Sequence, residues 1–471
     1  MAQAVENNEH HVSEEAQVET LDVTSGVIWK QLLQLYIPIF LSAFMQQLYT
    51  LMNTWIVGQF AGKAAVGGIQ VTQALTDLAV GFAVGVGAGC AVIVGQYFGA
   101  HDDTRLSASV HTAIGISVVG GVLFSVVGVL CVGPVLHIMD TPEHLMPDAL
   151  LYGHWYFGAL VFSLIYNMGS GLMRAIGDSR TPSIILGIVL ACNLILDLIF
   201  VAGLNLATLG AGIATALAYI VAASLVLYKL SHAHGPWQVN LKRIRIDRKI
   251  ARIMLVTGLP LGVQSAAYSI SNIIAQTAVN SFGADAVTGW GLSARVDGII
   301  WQSGDSLGVA VTTFAAQNFG ARKYDRMHSS LKVSIAMSLA LVGALSALLF
   351  VFVEPISMFF LPDATVAEWS ALMVRYIAPF YVVYTISSNI SGIIRGAGES
   401  VRPMLITLFG TCILRIAWLL MVVPVFHSME TILMSYPLTW ILTTGIYIVY
   451  YRSGRWLTVA RKKEEARTSI A

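Results

Sequence analysis

The second half of this chain is a copy of the first. GLMRAIGDSRTPSII at 171–185 returns as GIIRGAGESVRPMLI at 392–406, about 221 residues on. VIVGQYFGAHDDTR at 92–105 and TTFAAQNFGARKYDR at 312–326 keep that offset, aligning Gln96 with Gln317, Gly99 with Gly320 and Arg105 with Arg326, while Pro38 aligns with Pro260 at 222. A duplicated half must fold twice into the same unit, which removes most architectures from consideration. In a strongly apolar chain, such duplication is how many secondary transporters are built, with substrate sites where the repeats meet.

The chain is that apolar. Hydrophobic residues make up 56% and charged residues 11%, against roughly 25% charged in ordinary globular domains. Crossing a hydrocarbon core of about 30 Å takes roughly 20 helical residues. Runs of that kind lie near 31–58, 64–98, 106–136, 146–173, 181–202 and 208–230, and again near 252–281, 286–319, 328–353, 367–394, 402–425 and 430–451. The fold expected is all-α and polytopic, with twelve transmembrane helices in two six-helix repeats. Six is even, so both halves enter the membrane in the same orientation, the parallel-repeat case.

Charge sets the orientation. Arg105, Arg174, Arg180, the run Lys242 to Lys249, Arg322, Lys323, Arg326, Arg395, Arg402 and the C-terminal arginines and lysines fall on one set of loops, and only Lys63 and Arg375 on the other. By the positive-inside rule both termini are cytoplasmic, and the membrane expected is a bacterial plasma membrane. The domains read as a disordered tail at 1–29, an N-terminal lobe at 30–230, a cytoplasmic linker at 231–250, a C-terminal lobe at 251–452 and a basic tail at 453–471. The acidic glutamates at the start and the lack of a short apolar leader argue for disorder there and against a cleaved signal. Topology explains the basic linker, so nucleic acid is excluded as a partner. Cys90, Cys131, Cys192 and Cys412 show no CxxC spacing and read as small core residues. No HExxH, GxSxG or paired-His pattern points to an enzyme.

Function should sit at the membrane-embedded polar groups, because a charge at the bilayer centre costs at least roughly 2.5–3.5 kcal/mol on insertion scales. They are Asp77, Asp197, Arg295, Asp297, Asp305 and Arg415. Asn193 and Asp197 are one helical turn apart and share a face, a candidate cation or proton site. Gln46, Thr50 and Asn53 form a polar stripe on the first span that fits a cavity wall or interhelical hydrogen bonds. Asp297, Trp301 and Asp305 share a stripe on the eighth span, with Arg295 or Arg415 as candidate partners. Gln264, Tyr268, Trp301, Met45 and Tyr384 are candidates to hold a flat cation by cation–π and sulfur contacts, although such residues more often pack. His111 and His154 read as satisfying neighbours.

The paired motifs RAIGDSRTP and RGAGESVRP, with GQYFGA and AQNFGA, resemble those of the multidrug and toxic compound extrusion (MATE) transporters, over about 30–455. The resemblance implies two six-helix lobes around a central cleft and antiport of cationic or amphipathic compounds against sodium ions or protons. It implies no cofactor, and a monomer is expected. Its amino-lobe coupling site looks like Asn193, Asp197 and Thr215 with an Asp on the first span, where this chain has Asn53. Pro38 matches the family's hinge in that span. Tyr268 stands where the NorM branch has a Glu, so a DinF-like branch fits better.

With Asn53 in place of a carboxylate, the set Asp197, Asn193, Thr215 and Asn53 carries one negative charge and is neutralised by one Na+ or one proton. Desolvation favours protonation of a carboxylate, whereas oxygen ligands and an aqueous path favour sodium; the loss of an anionic ligand tips the expectation slightly toward protons. The alternative is a lipid-linked oligosaccharide flippase of the same superfamily, which calls for more cationic residues to meet pyrophosphate.

Overall fold

A computed structural model describes residues 20–469; the expected disorder of residues 1–19 lies outside them. Among the described residues there is no strand. The helices are α1 (Ile28–Phe60), α2 (Gly62–Gly99), α3 (Asp103–Ile138), α4 (Met146–Gly158), α5 (Leu160–Ala175), α6 (Arg180–Asp197) and α7 (Ala207–Ser231), then α8 (Arg248–Asn280), α9 (Ala284–Gly320), α10 (Tyr324–Phe360), α11 (Ala364–Ile377), α12 (Tyr381–Gly396), α13 (Val401–Thr407), α14 (Leu414–Met421), α15 (Met429–Arg452) and α16 (Arg455–Ser469). Every predicted span is found. The fourth is two helices bent by 49° between α4 and α5, and α6 and α13 each run into a π-helical turn, Leu198–Gly203 and Leu408–Ile413.

Among the described residues, ten helices are long and apolar enough to cross a membrane, and the bent pair makes eleven. The twelfth, α9, is 37 residues long but carries Asp285, Arg295, Asp297 and Asp305. Six crossings therefore precede the linker and six follow it. Val119, Leu123, Val126 and Leu130 form an exposed apolar stripe along α3, a surface that only lipid covers without cost. Polar N-caps start several helices: Asp102 accepts from the Arg105 amide, Asp363 from those of Thr365 and Val366, and Ser428 from that of Thr431, satisfying N–H groups that the first helical turn leaves unpaired.

The described residues divide into two compact units, one holding residues 20–22 and Ile37–Gly262, the other Val23–Tyr36 and residues 263–469. Of the three switches between units, the two inside helices, in α1 and α8, fall within two residues of Pro38 and Pro260. A proline removes one backbone hydrogen bond and bends its helix, so each of these two coincides with a built-in weak point. In the first unit, α2 crosses the start of α8 backbone to backbone. A Cβ on Gly89 would lie 2.3 Å from Gly258 Cα, and one on Gly85 2.5 Å from Gly262 N. Two interlocked small-xxx-small ridges make that approach.

Residues 20–27, expected within a disordered tail, are held. The Leu21 amide donates to Ile176 O, and Gly177, at φ +95°, leaves space that a Cβ would contest with Leu21 O at 2.3 Å. In the second unit, the Val23 amide donates to Gln317 Oε1. Arg326 donates to Val23 O, Gly26 O and Gln31 Oε1 at 3.0, 2.9 and 3.0 Å. The repeated AQNFGARKYDR motif thus grips the entry to α1, and Val23 is fully buried. The basic tail is the helix α16. Cys90 and Cys412 are buried, as core residues should be, but Cys131 is exposed and Cys192 half-buried, because these two fall on outward helix faces.

Candidate functional site

Two helical i, i+4 pairs meet in the first unit. α1 presents Tyr49 and Asn53, and α6 presents Asn193 and Asp197. Asn53 Nδ2 donates to Asp197 Oδ2 at 2.6 Å and to the Tyr49 hydroxyl at 3.1 Å, and that hydroxyl donates to Asn193 Oδ1 at 2.6 Å. The result is a polar ladder between two apolar helices. Asp197 is 0% exposed and Asn193 3%. Asp197 is the last residue of α6 before its π-helical turn, a distortion common at functional positions. Its Oδ1 is buried and accepts no hydrogen bond from the described residues, leaving one carboxylate oxygen ready for a proton or a cation.

The sequence placed three of these four residues together and missed Tyr49. Two of the expected ligands make hydrogen bonds of their own. Asn53 meets Asp197 with its amide N–H. The Thr215 hydroxyl is buried but donates to Ala211 O of its own helix at 2.9 Å, and no hydrogen bond joins it to Asp197 among the described residues. Beside the ladder, Tyr152, Tyr156 and Tyr219 pack ring on ring, with Tyr156 and Tyr219 hydroxyls 3.1 Å apart. Tyr152 and Tyr156 sit on α4, and the bend between α4 and α5 orients them.

Gln46 and Thr50 are exposed, and the Thr50 hydroxyl bonds back to Gln46 O. The Pro38 carbonyl accepts from the hydroxyls of Ser42 and Ser183, each at 2.8 Å, pinning the proline turn of α1 to α6. Met45 packs toward Gly187. Asp77 is exposed on α2. His154 bonds its own helix at Leu150 O, and His111 bonds Ser107 O while its Nε2 accepts from the Asn240 amide, so His111 secures the linker.

The repeat does not reproduce the ladder. An offset of 222 carries Asn53, Asn193 and Asp197 to Ala275, Arg415 and Leu419. Arg415 lies 4.0 Å from the Tyr436 ring centroid and donates to Asn272 Oδ1 at 3.4 Å. Among the described residues no ion pair joins Arg415 or Arg295 to Asp297 or Asp305, the pairing suggested from sequence; tyrosine hydroxyls bond these carboxylates. The Tyr381 hydroxyl donates to Asp297 Oδ2 and that of Tyr384 to Asp305 Oδ1 at 3.2 Å. Trp301 lies edge-on to Tyr384, Tyr381 and Trp440, with centroids 4.6, 5.6 and 5.5 Å away. This is an aromatic box with Asp305 exposed at its edge. Tyr268 and Gln264 on α8 are half-buried, and Gln264 Oε1 accepts no hydrogen bond among the described residues. No group of three His, Cys, Asp or Glu residues able to hold a metal ion occurs there either.

The MatE family profile matches residues 38–199 and 260–421, once in each half of the chain. The chain belongs to the MatE family. The two matches begin at Pro38 and Pro260, the aligned prolines of the repeat. Among MatE relatives, the chain is 26% identical over 389 residues to a probable multidrug resistance protein, YoeA, of Bacillus subtilis, covering 81% of this chain and 84% of that one. It is also 26% identical over 358 residues to an FAD transporter of Shewanella oneidensis, covering 73% and 77%. An outward-facing multidrug resistance MATE transporter of the MOP superfamily superposes with a TM-score of 0.86 at 18% identity, over 93% of this chain and 99% of that one. The chain is thus a multi-pass membrane transporter of the MatE fold, not an enzyme.

Proposed function

We propose that this MatE transporter is a secondary antiporter that exports organic cations against an inward flow of protons or sodium ions by alternating access, with Asp197 as the coupling carboxylate. The observation that carries the reading is the ladder: a fully buried Asp197 with one oxygen held by Asn53 and the other unbonded, on a helix ending in a π turn. Such a carboxylate alternates between bare and neutralised states, and an ion gradient is the source of the neutralising charge. Pro38 acts as the hinge beside the ladder. Within the second unit, Trp301 and Tyr384 with Asp305 bind the cation by ring and charge, and Tyr268 and Gln264 extend that surface; in the first unit, Gln46 and Thr50 are exposed polar side chains offered to substrate.

The protein works as a monomer in the plasma membrane of a bacterium with both termini inside, and its lobes are 30–230 and 251–452. The DinF-like placement rests on the same residues as before, Asn53 and Tyr268. FAD is polyanionic, and the exposed Asp305 disfavours a diphosphate at this box, as it does the pyrophosphate of a lipid-linked oligosaccharide; an organic cation fits it. Purified protein in liposomes loaded with a fluorescent organic cation tests the reading. An imposed proton or sodium gradient should drive concentrative export that collapses with the matching ionophore. If neither gradient drives it, the protein is not such an antiporter.

A further inference from the structure

A groove of about 800 Å3 runs along the outer flank of α15. Its floor is Ile441, Leu442, Ile446 and Val449, all exposed side chains on two turns of that helix. Gly445 lies among them with nothing within 4 Å of where a Cβ would be, so the groove is open at its middle. At the end nearest the basic tail the lining changes to Arg402, Tyr450, Ser453, Arg455 and Thr458. Apolar length and a cationic end occur in one cavity.

The charge there is only partly compensated. The one carboxylate beside Arg402 is Glu399, 3.9 Å away and buried, and Lys463 Nζ already holds it at 2.6 Å. Arg402 donates to the Tyr450 hydroxyl at 3.3 Å and lies 6.0 Å from that ring's centroid, which fixes its guanidinium at the mouth of the groove. Arg455, at the start of α16, is exposed and lines the same groove. Two guanidiniums flanking hydroxyls suit a phosphate diester, and the four apolar side chains span about 12 Å at 1.5 Å per residue, room for one half of an acyl chain. Basic pockets at the cytoplasmic side of transmembrane helices commonly take anionic lipid headgroups.

We propose that this groove is a binding site for one anionic glycerophospholipid, its phosphate between Arg402 and Arg455 and an acyl chain along Ile441 to Val449. No carboxylate lines the groove to meet a choline or ethanolamine ammonium, so a zwitterionic lipid gains only the phosphate contact. The site is independent of the coupling ladder, which lies in the other unit, and of substrate.

The test uses the full-length protein in detergent, titrated with dioleoyl phosphatidylglycerol or dioleoyl phosphatidylcholine, with bound lipid counted by native mass spectrometry. The parent should retain one phosphatidylglycerol in preference to phosphatidylcholine. Arg402→Gln and Arg455→Gln should each weaken phosphatidylglycerol about fivefold, and the pair together about 25-fold, from the usual contribution of one basic residue near a membrane surface. Gly445→Phe fills the groove without altering charge and should displace both lipids. Because Arg455 is exposed, its variant should melt at the parent's temperature in lipid-free detergent, which separates lost binding from lost fold. Equal retention of the two lipids by the parent overturns the proposal, as does a double variant that binds like the parent. Full competition by inorganic phosphate also overturns it, since it would make the site one for a free anion.

Discussion

Asn53→Asp turns the donor side of the α1–α6 ladder into an acceptor. Asn53 Nδ2 lies 2.6 Å from Asp197 Oδ2, so the substituted carboxylate would place two negative oxygens at that separation with no hydrogen between them. At an effective dielectric of about 20 the repulsion is about 6 kcal/mol, and rotation apart to about 4 Å leaves about 4 kcal/mol. That remainder corresponds to roughly three orders of magnitude in a binding constant. The variant relieves it by holding one more proton or a sodium ion between the carboxylates. Export of a fluorescent cation from everted vesicles, followed across the neutral pH range with and without sodium, should show a pH profile moved toward alkaline or a new sodium dependence. Asn53→Ala removes the same hydrogen bond without adding charge, and should weaken transport without moving the profile. An unchanged response of Asn53→Asp to both pH and sodium would refute the ladder, since it would mean that the side chain at 53 does not face Asp197.

Pro38→Ala restores a backbone hydrogen bond to α1 and should slow transport while leaving ion preference intact, read from turnover and from the sodium and pH responses of the same vesicles. Asp305→Asn removes the exposed carboxylate of the aromatic box; a loss of about 1 kcal/mol in a wet site raises KM for a cationic substrate roughly fivefold, with no effect on a neutral one. Gly89→Ala drives a methyl into the backbone of Gly258, and a clash of roughly 1–3 kcal/mol outweighs the gain of about 1 kcal/mol in helix propensity. Its melting temperature in detergent should fall, whereas an unchanged value would show that α2 and α8 can separate at that point.

The crossings were legible in the sequence because each is a long apolar run bounded by charge or by a capping Asp or Ser. The repeat was legible in its motifs. Asn193 and Asp197 could be paired because helical spacing alone places them on one face, and Asn53 could be matched to them only through the resemblance. Tyr49 could not, since a tyrosine in an apolar run looks like packing until its hydroxyl is seen between two side chains from different helices. The same holds for Tyr381 and Tyr384, which took the partner role that charge had suggested for Arg295 and Arg415. Residues 20–27 were misread because local polarity reports nothing about a grip supplied by Gln317 and Arg326 some 300 positions away. The Gly85–Gly262 and Gly89–Gly258 approaches escaped for a related reason: glycines spaced by four in a span fit many partners, and only the folded chain selects one.

Asp197→Asn tests the coupling claim most directly, because it keeps the shape of the ladder and removes its charge. The asparagine still accepts from Asn53 through its carbonyl, so the protein should express and bind substrate like the parent. The measurement is substrate-evoked ion movement in proteoliposomes carrying a pH-sensitive and a sodium-sensitive dye. Parent protein should move one of the two ions inward as the organic cation leaves, and the variant should move neither while still binding the cation. Ion movement of parental size in Asp197→Asn would contradict the assignment of this carboxylate as the coupling site.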